Sequence, residues 1–282
     1  MKTSSNKISI VKASGEVAQF SLAKLKKSLK RTGADDDVIE HILEMVEEEL
    51  YEGITTKEIY NRAFALLKKK KRVLASKYKL KKAIYELGPT GFPFEHFIGT
   101  ILKFSGYEVT VGAILQGECV EHEIDVLAHK NNETTVVECK FHSERGLVCN
   151  VKIPLYIHSR YIDVKNYWNT FKKHETTLTQ GWVVTNTRFT QDAVQYGNCA
   201  GLYLLSWDYP SGNSLKDIID RLGLYPITVS TLLTNREKQF LLNRDVVLCR
   251  ELIKDDFYLD HLGVSEVRKK RILAEIGQLC DS

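Results

Sequence analysis

Cysteine is scarce and scattered: the chain has six, at 119, 139, 149, 199, 249 and 280, with no CxxC pair among them. That spacing fits a reduced compartment better than a disulfide framework or a zinc site. No apolar run is long enough to cross a bilayer, and the polar start MKTSSNK is not a signal peptide, so the expected location is cytoplasmic. An excess of one charge is lacking too. Against 36 Asp and Glu stand 40 Lys and Arg, a net charge of +4, so a nucleic-acid partner would have to be held by local basic patches. What is there is ordinary for globular chains: 282 residues, 43% hydrophobic and 27% charged, enough for two or three domains.

The most informative stretch is EIDVLAHKNNETTVVECKFH, Glu123 to His142. Residues 123–129 and 134–142 read as two strands joined by a turn at Asn131-Asn132, a residue type that tolerates left-handed backbone. A two-residue turn sets Asp125 opposite Glu138 and Glu123 opposite Lys140 on one face. Ile124, Val126 and Ala128 against Val137, Cys139 and Phe141 then form a dry face on the other side. Carboxylates facing each other across strands stand ~5 Å apart and repel unless a cation lies between them. Magnesium supplies that charge, taking one or two carboxylates with water and a substrate phosphate. Lys140 would then serve the attacking water and stabilise charge on the phosphate. The same residues also read as a solvated strand face, and the pattern alone leaves both readings open.

Asp125, a gap of twelve residues, and Glu138-Cys139-Lys140 between apolar strand residues resemble the D…ExK signature of the PD-(D/E)XK nucleases. Strands at 181–185 and 202–206 around a helix at 190–198 form a right-handed parallel crossover. The segments VVTNTRFTQDA and GLYLLSWD resemble the second half of the Mrr-like branch, so the resemblance spans residues 92–208. It implies a restriction-endonuclease-like α/β core with a central mixed sheet. It also implies Mg2+ or Mn2+ held by Asp125, Glu138 and the carbonyl of Cys139, with Lys140 serving the water and DNA as substrate. A helix at 92–104 carries Glu95 at the place where this branch points a glutamate back at the metal, and Glu95 reads equally as an exposed glutamate near a helix start. A helix from Pro154 through Lys173 buries most of its aromatics, with Arg160 and Lys165 as surface charge or DNA-phosphate contacts.

The N-terminal part reads as a short hairpin near 8–20 followed by four helices, with Ser21 as one cap and Thr55-Thr-Lys-Glu58 as a capping box. Val11-Lys12, Gly15, Phe20, Lys24-Leu25, Gly53-Ile-Thr-Thr56, Ile59 and Leu74-Ala75-Ser-Lys-Tyr78 resemble an ATP-cone, a nucleotide-sensing module. The resemblance implies ATP or dATP as regulatory ligand, with Lys12 and Lys24 on the phosphates and Ser21 and Thr56 as hydroxyl partners. Ala13, Ala18 and Tyr60 depart from the family pattern, which leaves a cone retained for dimerisation as the other reading. Lys68 to Arg72 is a basic run that reads as a solvated helix end or a phosphate-binding patch.

A helical tail follows, with a capping box at Thr234 and a turn at Leu262-Gly-Val-Ser265 similar to a helix-hairpin-helix but lacking its second glycine, which favours a packing or dimerisation element. The expected architecture is thus multi-domain α/β: a helical cone at 1–88, a nuclease domain at 89–212 and a helical extension at 213–282. The expected activity is a metal-dependent DNA endonuclease regulated by a nucleoside triphosphate, acting as a homodimer or higher oligomer in restriction or phage defence. A nucleotide-responsive DNA-binding regulator and a junction-resolving or repair nuclease are the alternatives.

Overall fold

Local hydrogen bonding starts the N-terminal helices where the caps predict. The computed structural model describes residues 8–171 and 174–281. Strands β1 (Ser9–Val11) and β2 (Val17–Gln19) pair antiparallel. Four helices follow: α1 (Leu22–Lys30), α2 (Asp36–Glu48), α3 (Thr56–Lys70) and α4 (Arg72–Tyr85). Ser21 Oγ accepts the Lys24 N–H at the start of α1, and Thr55 and Glu58 exchange both bonds of a capping box before α3. The Lys68 to Arg72 run falls at the α3–α4 junction and is exposed.

Then come α5 (Phe92–Phe104), β3 (Glu108–Gln116), β4 (Glu121–Lys130), β5 (Glu133–Lys140), α6 (Lys152–Thr170), β6 (Thr177–Thr185), α7 (Gln191–Cys199) and β7 (Tyr203–Leu205). The five strands form one mixed sheet in chain order, β3 to β5 antiparallel and β5 to β7 parallel. Helix α6 was expected to run through Lys173; it ends at Thr170, and Lys172 and Lys173 lie outside the described residues. The last segment holds α8 (Leu215–Leu222), a 3-10 turn (Ile227–Val229), α9 (Asn235–Leu242), α10 (Cys249–Lys254), α11 (Phe257–His261) and α12 (Glu266–Cys280).

Both faces of the sheet are covered, which corrects the expectation of one dry and one charged face. Val126, Ala128, Val137, Val184 and Leu205 pack with α5 and the C-terminal helices, whereas Ile124, Leu127, Val136, Val183 and Leu204 pack under α6 with Tyr161, Val164 and Trp168. Ile124 therefore faces away from Val126, although strand alternation places them together. The neighbouring strand switches at the same level: Val109 and Val111 lie in the first layer, Ala113 and Leu115 in the second. Between them Gly112 has φ +68°, and it and Asp125 are skipped in a register that is otherwise regular. A left-handed glycine turns the strand over, and Asp125 sits at that crossing.

Helix α4 joins two cores. Ala75 belongs to the N-terminal cluster, while Val73, Leu80, Ala83, Ile84 and Leu87 share a core with Phe94, Phe97 and the buried faces of α8, α9 and α12. Buried polar groups reinforce this junction. Glu275 of α12 accepts from Ser76 Oγ, Ser230 Oγ, Thr231 Oγ1 and the Thr231 N–H. Lys79 donates to Glu86 at 2.7 Å and to the Thr228 carbonyl, and Lys238, 4% exposed, reaches Glu86 at 3.8 Å. The C-terminal helices thus pack against their own chain.

Burial, then the neighbouring Lys79, lowers the Lys238 amine from 10.5 to about 7 despite Glu86 and Glu275. Between those two values the unfolded chain binds more protons, so this group makes the fold more stable as pH rises from 7. Lys238→Met leaves Glu86 paired with Lys79 and is expected to stabilise by roughly 1–4 kcal/mol at pH 6.5. That gain should shrink toward pH 10, as urea titrations at both pH values would show.

Candidate active site

The β4–β5 register is the expected one from Val126↔Val137 to Lys130↔Glu133, with Asn131 at φ +55° in the turn. Beyond Val126 and Val137 the ladder stops. Here β4 continues on β3 and β5 on β6, and the Asp125 carboxylate takes the place of a strand partner, accepting the Cys139 N–H at 2.6 Å. The ladder bonds stop where the two acids stand, and the Asp125 carboxylate bridges the strands in their place.

Glu138 is 7% exposed, and its two oxygens are used differently. Oε2 accepts Arg160 Nη1 at 2.7 Å, while Oε1 is buried with no hydrogen-bond partner among the described residues. Burial, then Asp125, pushes Glu138 up to about 8. Glu95 joins from the first turn of α5: burial, then Asp125 and Glu123, push it up to about 7. Asp125 is raised as well, by burial first, against the pull of the Cys139 N–H and Arg160. Lys140 is exposed one residue past Cys139, close enough to lower Asp125, and its carbonyl accepts Thr185 Oγ1 at 2.7 Å.

The structure thus brings Glu95, Asp125, Glu138 and Lys140 to one place at the carboxyl end of β5. A cluster of buried carboxylates that raise one another has a deficit of positive charge. Among the described residues no group of three or more His, Cys, Asp or Glu side chains is spaced as a metal cage. A set of carboxylate oxygen donors, one of them buried without a hydrogen-bond partner among the described residues, suits a hard divalent cation such as magnesium.

Arg160 is the residue that sequence reading misplaced. It does not stand free on the surface. Its guanidinium binds Glu138, the Glu123 carbonyl through Nη2, and His122 Nδ1 through Nε at 3.4 Å. His122 Nε2 in turn meets Asp163 Oδ2 at 2.7 Å, and that bond, with the Cys119 N–H behind it, holds Asp163 down at about 2. The available signal was the spacing of Tyr156, Arg160 and Asp163 along one face of α6.

The N-terminal residues converge elsewhere. Lys12, Ser21, Lys24 and Thr56 all line one cavity of about 350 Å3, with Ile10, Phe20 and the stacked pair Tyr60 and Tyr78. The Tyr60 hydroxyl is buried without a partner among the described residues, and Lys12 is paired with Glu16 at 2.8 Å. Neither tyrosine was expected in this lining.

Among the described residues no helix is long and apolar enough to cross a membrane. A family model of the Mrr type, described as restriction endonuclease, matches residues 89–208, and one described as AF1548-like, C-terminal, matches 225–280. An uncharacterized protein of Archaeoglobus fulgidus is 33% identical over 176 residues, 62% of this chain and 95% of that protein. The crystal structure of AF1548, a protein of unknown function, is 29% identical with a TM-score of 0.55, covering 68% of this chain and 99% of that one. Strand order, the carboxylate cluster and these matches agree: the chain belongs to the family of this Archaeoglobus fulgidus protein and carries a restriction-endonuclease domain of the Mrr type followed by an AF1548-like C-terminal domain.

Proposed function

We propose that the chain is a magnesium-dependent DNA endonuclease whose activity responds to ATP or dATP in the N-terminal cavity. The observation that carries the first part is the partnerless Glu138 Oε1 beside Asp125 and Glu95, within reach of an exposed Lys140. Asp125, Glu138 and the Cys139 carbonyl would hold the cation, with Mn2+ as a substitute. When bound, it neutralises charge on the scissile phosphate and acidifies a water. Lys140 orients that water and stabilises the developing phosphate charge; Glu95 accepts a hydrogen bond from the same water or a second ion's shell. The convergence of Lys12, Lys24, Ser21 and Thr56 supports the second part: two ammonium groups and two hydroxyls suit a triphosphate, and Tyr60 offers a donor. Cutting both strands with one site per chain favours a homodimer or higher oligomer, and restriction or phage defence is the role consistent with this chemistry.

Plasmid DNA incubated with magnesium tests the proposal, comparing the protein and Lys140→Ala, each with and without ATP and dATP. Nicking or linearisation lost by at least about 10²-fold in the variant supports it, and a change on adding nucleotide assigns the cavity its part. Equal behaviour of both proteins, with DNA bound and uncut, overturns the endonuclease and favours a DNA-binding regulator.

A further inference from the structure

Five cations from four separate segments meet where α4 passes the nuclease domain. Lys77 and Lys81 project from α4, Arg145 from the loop after β5, Arg188 from the segment after β6, and Lys216 from α8. Burial first, then Arg188, Arg145 and Lys216, lower the Lys81 amine against the single opposing carboxylate, Asp208. Asp208 is already paired with Arg188 at 2.7 Å. Among the described residues Lys77, Lys81, Arg145 and Lys216 have no ion pair within 4.0 Å, although Asp220 acts on Lys77 and Asp217 stands beside Lys216. Aromatic rings hold several of them in place: Lys81 lies 5.5 Å from the Trp207 ring, Arg145 5.9 Å from Tyr85, and Lys77 6.0 Å from Tyr225. Such a contact orients the charged group over the ring face and uses no hydrogen-bond acceptor, so N–H donors remain for a further partner.

The seam leads to the carboxylate site. Lys77, Lys81 and Tyr85 follow one another along one side of α4 over about 12 Å. The helix ends at a turn where a Cβ on Gly88 would lie 2.7 Å from Phe141, the residue after Lys140, so only glycine admits that close approach. His142 exchanges two hydrogen bonds with Asn186, two residues before Arg188, and the Cys149 N–H donates to the Arg188 carbonyl. The loop bearing Arg145 is therefore fixed at both ends to the segment that follows β6, the strand paired with β5. Like charges gathered from distant segments repel, and a polyanion lying along them relieves that repulsion.

We infer that this seam of Lys77, Lys81, Arg145, Arg188 and Lys216 receives the phosphate backbone of duplex DNA on its way to the carboxylate site, so that the N-terminal helices and the nuclease domain grip one strand together. The inference rests on the endonuclease reading. A solvated charged surface is the competing account, and it predicts no special loss when these residues are changed.

Binding of a labelled duplex, followed by fluorescence anisotropy in EDTA over a range of salt, separates the two. Lys81→Ala/Arg145→Ala/Arg188→Ala should flatten the slope of log affinity against log salt by about 2–3 and weaken binding roughly 10²-fold near 0.1 M salt. Arg145 and Arg188 are exposed, and Arg145→Ala alone, in a surface loop, should flatten the slope by about 1. Lys68→Ala/Lys69→Ala/Lys70→Ala, at the exposed end of α3, should behave as the unaltered protein. Unchanged slopes for the seam variants, or an equal loss for the α3 control, overturn the seam. If slopes change as expected and DNA stays uncut with magnesium, the seam stands and the endonuclease reading falls.

Discussion

Glu138→Gln is expected to leave DNA binding intact and to slow metal-dependent cleavage by on the order of 10³-fold or more. The substitution keeps size and shape and removes charge from a carboxylate whose Oε1 is buried without a hydrogen-bond partner among the described residues. Oε2 can still accept from Arg160 as an amide oxygen, so the fold near α6 keeps its contact. What is lost is the negative charge that, with Asp125, calls for a cation. Single-turnover cleavage with the variant in excess over DNA measures the chemical step, and calorimetric titration with Mn2+ measures the cation separately. Cleavage at the unaltered rate with normal Mn2+ binding would remove Glu138 from the site and leave the raised acids as a feature of packing.

The hairpin was legible because its information is local. Asn131-Asn132 fixes the turn, the turn fixes the register, and the register brings Asp125 and Glu138 level. The reversal of faces at Gly112 was not legible, since strand alternation assumes an unbroken pleat and a glycine in a strand announces no direction of turn. Ile124 went to the wrong layer for that reason. Cover over the charged side was equally invisible: it comes from α6, whose Tyr161, Val164 and Trp168 meet Leu127 and Val136 through tertiary packing. The four residues named for a nucleotide do line one cavity, because Lys12 follows the end of β1 and Ser21, Lys24 and Thr56 lie at helix starts, places that short motifs can fix. Tyr60 and Tyr78 were legible as positions of the cone pattern, and their stacking in the cavity lining was not, because it comes from the packing of α3 on α4.

Arg160 carries the second large effect, and Arg160→Met isolates it. The guanidinium fork binds Glu138 and the Glu123 carbonyl, while Nε donates to His122 Nδ1. That bond makes Nδ1 the acceptor, so Nε2 carries the proton that Asp163 receives. The chain Asp163, His122, Arg160, Glu138 fixes which carboxylate oxygen is taken and which stays free. Cleavage by Arg160→Met is expected to fall about 10–10²-fold, and Arg160→Lys should recover little of it because an ammonium cannot reproduce the fork. Removing the cation also strands a buried acid, which costs roughly 3–5 kcal/mol when the partner charge stays ionised. Near neutral pH Glu138 escapes part of that cost by keeping its proton, since its folded value already stands near 8. Added Mn2+ competes for the same oxygens, so it should raise the thermal midpoint of Arg160→Met more than that of the unaltered protein. Equal midpoint shifts and equal rates would reduce Arg160 to a packing residue; a large extra shift with slow cleavage would establish it as the group that aims Glu138.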